Sequence, residues 1–154
     1  MTNIRRARFP EDLDAVIAIF REYIGSTSVS LDFQNYEDEL AALPGKYDAP
    51  KGGLFLAWDA EAVVGCAGFR AVNDEICEMK RVYVRPAGRG QNLGRRLVER
   101  ILAEARAAGY GRMCLDVLPE FTAARRLYES LGFLPAAPVT FNPVAGTSFM
   151  GVDL

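Results

Sequence analysis

Apolar and polar residues alternate along this chain with two periods, and the period changes at glycine and proline. Leu13, Val16, Ile17 and Phe20 recur at helical spacing and predict an amphipathic helix over 10–24. Pro10, Glu11 and Asp12 open it, and Gly25 closes it. Tyr36, Leu40 and Leu43 mark a second helix over 33–43, with Glu37, Asp38 and Glu39 on its wet side and Pro44-Gly45 as its stop. A third runs from about Asn92 to Gly109. Its apolar face is Leu93, Leu97, Val98, Ile101, Leu102 and Ala105, and its other face is rich in arginine. A fourth covers 121–131 and ends at Gly132.

The remaining apolar runs read as strands: 2–8, 53–58, 62–71, 75–85, 112–118, 133–137 and 147–154. Asp59-Ala60-Glu61 and Asn73-Asp74 are short turns, so the second to fourth strands form an antiparallel meander. Strand 75–85, the third helix and strand 112–118 make one βαβ unit, which requires those two strands to be parallel. The order βααβββαβαββ predicts an α/β (α+β) fold: a mixed, mainly antiparallel sheet with helices on both faces, in one domain over 1–154.

Composition narrows the chemistry. Of 154 residues, half are apolar and a quarter charged, with a net charge of −2, so nucleic-acid binding is not expected. No histidine is present, which rules out Ser-His-Asp and Cys-His centres and argues against a catalytic zinc; no metal is expected. The three cysteines, Cys66, Cys77 and Cys114, lie in apolar strand-like runs and read as small buried hydrophobes in a reducing compartment. Arg5, Arg6 and Arg8 are not followed by the apolar core of a signal peptide, and no apolar run approaches a membrane span. A cytoplasmic protein without membrane partners is the expectation.

The chemistry concentrates where strand 75–85 ends. Pro86 stops the strand, and Gly88-Arg89-Gly90-Gln91-Asn92-Leu93-Gly94 leads into the third helix. Unpaired N–H groups at a helix start, the helix dipole and two side-chain-free glycines make an anion cradle, with Arg89 and Arg95 adding charge. Two other phosphate loops fail here. A Walker A loop needs Gly-Lys-Ser/Thr, but Arg95-Arg96 follow Gly94. The dinucleotide fingerprint needs its third glycine at Leu93, and too little chain follows for a doubly wound sheet. An ordinary glycine turn before a helix remains a plain alternative.

Arg89-Gly90-Gln91-Asn92-Leu93-Gly94 resembles the (Gln/Arg)-x-x-Gly-x-(Gly/Ala) signature of the GNAT N-acetyltransferase superfamily. Ala124-x-x-Leu127-Tyr128-x-x-x-Gly132-Phe133 resembles the family's second marker, and the element order agrees over nearly the whole chain. The sequence departs from the signature at Asn92, which stands in place of the central glycine; asparagine tolerates left-handed backbone angles better than most residues. The resemblance implies acetyl-CoA as donor, its pyrophosphate on the N–H groups from Arg89 through Gly90, Gln91, Asn92 and Gly94 to Arg95. It also implies a splay between strands 75–85 and 112–118 that admits the pantetheine arm, with main-chain groups of Val82 and Val84 on the arm and the thioester. Phe121 stands where many relatives carry an asparagine on the CoA arm.

Direct transfer to an amine needs a base and an acid. Glu78 matches the position of the catalytic glutamate in some family members. Three roles stay open for it: base, substrate-orienting carboxylate, or structural ion pair with Lys80, roughly 7 Å away by strand rise. Tyr128 matches the family tyrosine that protonates the departing thiolate, and a core role is its alternative. For the acceptor, the resemblance points to the first two helices and the last hairpin: Tyr36, Tyr47, Phe141 and Asn142. A small-molecule amine is the expected acceptor. The family often forms homodimers, sometimes through its C-terminal strands, and Phe149-Met150-Gly151-Val152 could serve as such an edge or as core. A non-catalytic acyl-CoA-binding or sensing module is the rival reading.

Overall fold

The computed structural model of the chain describes residues 2–154. Seven strands form one sheet: β1 (Thr2–Arg6), β2 (Gly53–Asp59), β3 (Ala62–Ala71), β4 (Ile76–Val84), β5 (Arg112–Val117), β6 (Leu134–Pro135) and β7 (Ser148–Asp153). The spatial order is β1-β2-β3-β4-β5-β7-β6. Only β4 and β5 pair in parallel, as the crossover demands; all other pairs are antiparallel. Four helices cover the sheet: α1 (Leu13–Ser26), α2 (Tyr36–Ala41), α3 (Leu93–Ala107) and α4 (Thr122–Ser130).

Two cores result, one on each face. Leu93, Leu97, Val98 and Ile101 of α3 and Tyr128 of α4 pack on Phe55, Phe69, Met79 and Leu115. On the other face, Val16, Ile19 and Phe20 of α1 and Leu40 of α2 pack on Leu54, Leu56 and Cys66. Two-faced burial explains why β2 and β3 read as nearly continuous apolar runs rather than alternating ones.

Helix boundaries differ from the sequence reading for local reasons. The Asp12 carboxylate accepts the Arg8 N–H at 2.7 Å, so a turn occupies residues 9–12 and α1 starts at Leu13. Gly25 does not end α1; the helix runs one residue further and the Ser26 hydroxyl caps the Tyr23 carbonyl at 2.6 Å. The expected helix over 33–43 is split. A 3-10 turn at Asp32–Gln34 precedes Asn35, whose φ of 52° breaks the helix before α2 begins. In the last hairpin β6 shrinks to two residues and forms the sheet edge, so Phe149 to Val152 lie inside the sheet, with Met150 buried.

Two irregularities position the site. Pairing between β4 and β5 covers only Ile76–Arg112, Cys77–Met113 and Glu78–Cys114, and then stops. Beyond that apex the strands separate. On the other side of β4, Cys66 faces Tyr83 while Gly68 faces Lys80, so β4 carries an extra residue. Arg81 sits at this bulge with φ 61°.

Candidate active site

The gap between β4 and β5 is a cavity of about 440 Å3. It passes through the sheet. Val82 and Val84 of β4, Gly94 of α3, and Leu127 and Tyr128 of α4 line it on one side; Tyr23, Ser26 and Gln34 line it on the other. Lys80, Arg81, Arg89 and Asp116 supply its charged groups. A slot lined mainly by apolar groups with a few convergent polar ones is the usual form of a small-ligand site.

The loop before α3 is open for an anion. Arg96 N–H closes the first helical turn on the Asn92 carbonyl at 3.1 Å. Among the described residues, no acceptor takes the backbone N–H groups of residues 90–95. Asn92 itself is left-handed, with φ 57°, and its side chain makes no capping bond. It therefore adopts the backbone shape that the missing glycine would have supplied. A side chain at Gly90 would meet nothing within 4 Å, which leaves the approach to the main chain clear. Gln91 is tied to β1, its side-chain oxygen accepting from Thr2 Oγ1 at 2.8 Å. Arg89 donates to the Val84 carbonyl at 3.3 Å, and Arg95 donates to Ser130 Oγ at 3.0 Å. These residues fit a pyrophosphate: a row of free donors, a helix start and two nearby guanidinium groups.

Glu78 lies at the apex, 1% exposed. Its carboxylate is held by Arg70, its partner across β3, at 3.3 Å and by the Thr140 hydroxyl at 2.7 Å. Of the three roles left open for Glu78, an ion pair is present, but Arg70 rather than Lys80 makes it, because direct cross-strand neighbours are closer than residues two apart on one strand. Glu78 sits behind the cavity wall, whereas Lys80 and Met79 are on it. Tyr128 is buried on the wall, edge-on to Phe133, and burial raises its pKa so that the phenol stays protonated. Phe121 stacks on Tyr23 at 6.4 Å, and burial pushes the Tyr23 phenol up to about 12.

The expected acceptor residues scatter. Tyr47 is buried in the second core, where its hydroxyl donates to Glu39 at 3.2 Å. Tyr36 packs at the edge of that same core, off the cavity wall. Asn142 stands behind the wall, donating to Asp116 at 3.0 Å, and Phe141 is exposed against Phe33. In their place the structure puts Tyr23, Gln34, Lys80 and Arg81 on the wall. Tyr23 lay on a helix whose apolar spacing suggested only core. The joint placement of Lys80 and Arg81 depends on a bulge that no local pattern announces.

The cysteines are all buried and free. Burial pushes the Cys66 and Cys77 thiols up to about 12, which leaves them unreactive. No cluster of three metal-ligating side chains occurs among the described residues.

Comparison with known proteins agrees with this geometry. Residues 14–133 match the acetyltransferase (GNAT) family. An uncharacterised N-acetyltransferase of Schizosaccharomyces pombe is 36% identical over 154 residues, covering 99% of this chain and 94% of its own. An IAA acetyltransferase of Azospirillum brasilense is 34% identical, with 93% of this chain and 91% of its own covered. An acetyltransferase from Salmonella typhimurium, solved with its cofactor acetyl-CoA, superposes with a TM-score of 0.70 at 26% identity, covering 99% and 93% of the two chains.

Proposed function

Because the chain belongs to the GNAT acetyltransferase family, we propose that it transfers the acetyl group of acetyl-CoA directly to the primary amine of a small molecule. The observation that carries this reading is the cavity through the sheet at the β4–β5 split, with the open N–H row at one end and polar side chains at the other. Such a slot lets a thioester and an amine meet from opposite faces. An acetyltransferase relative solved with acetyl-CoA and a relative named for IAA support the donor and a small acceptor respectively.

Acetyl-CoA supplies the acetyl group as a thioester. The N–H groups of residues 90–95, with Arg89 and Arg95, hold the diphosphate end. Past the apex, β4 has no partner on its β5 side, so main-chain groups of Val82 and Val84 face the slot and can bond an extended amide chain as a neighbouring strand would. One such N–H aimed at the thioester oxygen stabilises the charge that develops there. Glu78 takes a proton from the bound ammonium through a water, since its carboxylate lies one layer behind the wall, and the neutral amine then attacks the thioester carbonyl. Tyr128 delivers a proton to the leaving sulfur; its raised pKa keeps that proton in place at neutral pH. No cysteine has a base beside it and all three thiols are pushed up by burial, so the acetyl group passes without an acyl-enzyme stage.

The test is a thermal shift with CoA followed by acetyl-CoA-dependent thiol release over a panel of amines. Binding to the native state raises the melting temperature by mass action, so millimolar CoA is expected to shift it by several degrees. CoA binding without acetylation of any amine supports an acyl-CoA-sensing module instead. No binding at all contradicts both readings.

A further inference from the structure

The acetyl-transfer reading of this cavity leaves open what the acceptor must carry besides its amine, and the far wall of the cavity bears on that. Along β4, Cys77 and Met79 face the α3 core, while Glu78 and Lys80 face α1 and α2. The bulge at Arg81 resets this alternation, and Val82 and Val84 return to the α3 side. Lys80 and Arg81 are thereby placed side by side on the same face. Two adjacent cations on one face of a strand repel, and a positive φ at arginine adds strain.

Both side chains are buried, Lys80 at 7% and Arg81 at 3% exposure. Arg81 Nε donates to Glu39 at 3.0 Å and Nη1 donates to Gln34 at 2.6 Å. Its Nη2 is shielded from solvent and has no partner. Lys80 makes no hydrogen bond or ion pair among the described residues, and burial lowers its pKa. Gln34 and Tyr23, which flank the Arg81 guanidinium, both line the cavity. A buried cation left without a partner is costly, and Lys80 stands so on the cavity wall. The charges around Lys80 are otherwise matched: Arg70, Lys80 and Arg81 against Glu78, Asp116 and, through Arg70 and Arg81, Glu39. A ligand that is itself zwitterionic keeps that balance.

We propose that the acceptor is an amine that also bears a carboxylate, an amino acid or a close relative, and that Lys80, with the Arg81 guanidinium beside it, takes that carboxylate. Asp116, on the opposite wall, faces the amine end. Gln34 and Glu39 hold the guanidinium beside Lys80 at the cavity wall. Arg81 and Lys80 are specificity-determining residues here; the reacting atoms lie with Glu78 and Tyr128.

The test compares matched acceptors with acetyl-CoA: free amino acids, their carboxamides, the decarboxylated amines and aminophosphonates. Losing a hydrogen bond to a charged group predicts a kcat/KM preference for acid over carboxamide of about 100-fold, expressed mainly in KM. Lys80→Met is expected to reduce that ratio by about tenfold. Arg81→Gln is expected to reduce it by a similar factor, with partial rescue by Arg81→Lys. Because Arg81→Gln also strands Glu39, the Lys80→Met ratio decides should the arginine variant fail to fold. A readout independent of turnover is titration of wild type, in the presence of CoA, with N-acetylated amino acids against their amides. The proposal is overturned if amides and decarboxylated amines serve as well as acids, if phosphonates are preferred, if Lys80→Met leaves the ratio unmoved, or if no acid binds. Failure of the acetyl-transfer reading looks different: no CoA binding, or no acetylation of any amine at all.

Discussion

The two ends of the cavity are built by opposite means. The donor end is made of main chain: a row of N–H groups opened by Asn92 at φ 57° and cleared by Gly90 and Gly94. The acceptor end is made of side chains brought from distant places, with Gln34 and Tyr23 from before β2 and Lys80 and Arg81 from a bulge in β4. Main-chain recognition needs only a loop shape and tolerates changes of side chain. Side-chain recognition needs particular residues and a register that presents them. The donor end is therefore suited to one ligand shared by many relatives, and the acceptor end to a ligand that differs between them.

The contrast can be broken most strongly between the two ends, where the proposed mechanism places the chemistry. Tyr128→Phe removes the proposed acid while keeping the ring against Phe133, so kcat is expected to fall by about 100-fold or more with little change in CoA affinity. Glu78→Gln is expected to lower kcat to a similar degree; an unchanged kcat would assign Glu78 to the Arg70 pair alone. Stopped assays with saturating amine measure both.

Next in size is Arg70→Met. Arg70 bridges Glu78 and Glu39 at 3.3 and 3.6 Å, so its loss leaves two carboxylates short of a partner beneath the acceptor end. The expected cost is about 3 kcal/mol in urea unfolding. The acceptor end should loosen while CoA binding persists. Equal loss at both ends would break the comparison.

How much of this was legible in the sequence follows the same division. The proposed donor loop is continuous in sequence, so its glycines, arginines and following amphipathic helix could be read without any tertiary information. The meander, the parallel β4–β5 pair and the order of elements followed from turn residues and chain economy. The acceptor wall was not legible. Tyr36 and Tyr47 came from the resemblance, which points to the first two helices; the fold places Tyr47 inside the second core and Tyr36 at its edge. Arg81 reads as one more charged residue until pairing with β3 shows the extra residue in β4. Register is a property of two strands, so one strand's sequence does not reveal it.

The pH dependence of stability is a smaller effect. Burial raises Cys66 from 9.0 and Tyr23 from 10.0, both to about 12. A group whose folded pKa is raised contributes its full stability below its unfolded pKa and loses it as pH rises toward the folded one. Melting temperature should accordingly hold to about pH 9 and fall progressively toward pH 12. Cys66→Ala is expected to make that fall shallower without moving its onset, because Cys77, also raised from 9.0 by burial, still begins to titrate there in the unfolded chain.

The smallest expected change sharpens the donor end. Asn92→Gly relieves the residual cost of a left-handed non-glycine residue, so stability should rise by less than about 1 kcal/mol and CoA should bind slightly tighter. Asn92→Ala should do the reverse.

The central claim is that one slot joins an N–H cradle for CoA to a side-chain site for an amine. The most direct measurement is mass spectrometry of an amine panel incubated with the protein and acetyl-CoA, alongside amide exchange of the protein with CoA. The account predicts acetylated amine in step with released CoA, and slowed exchange at residues 90–95. Slowed exchange elsewhere only, or protected amides at residues 90–95 with no acetylated amine from any member of the panel, would contradict it.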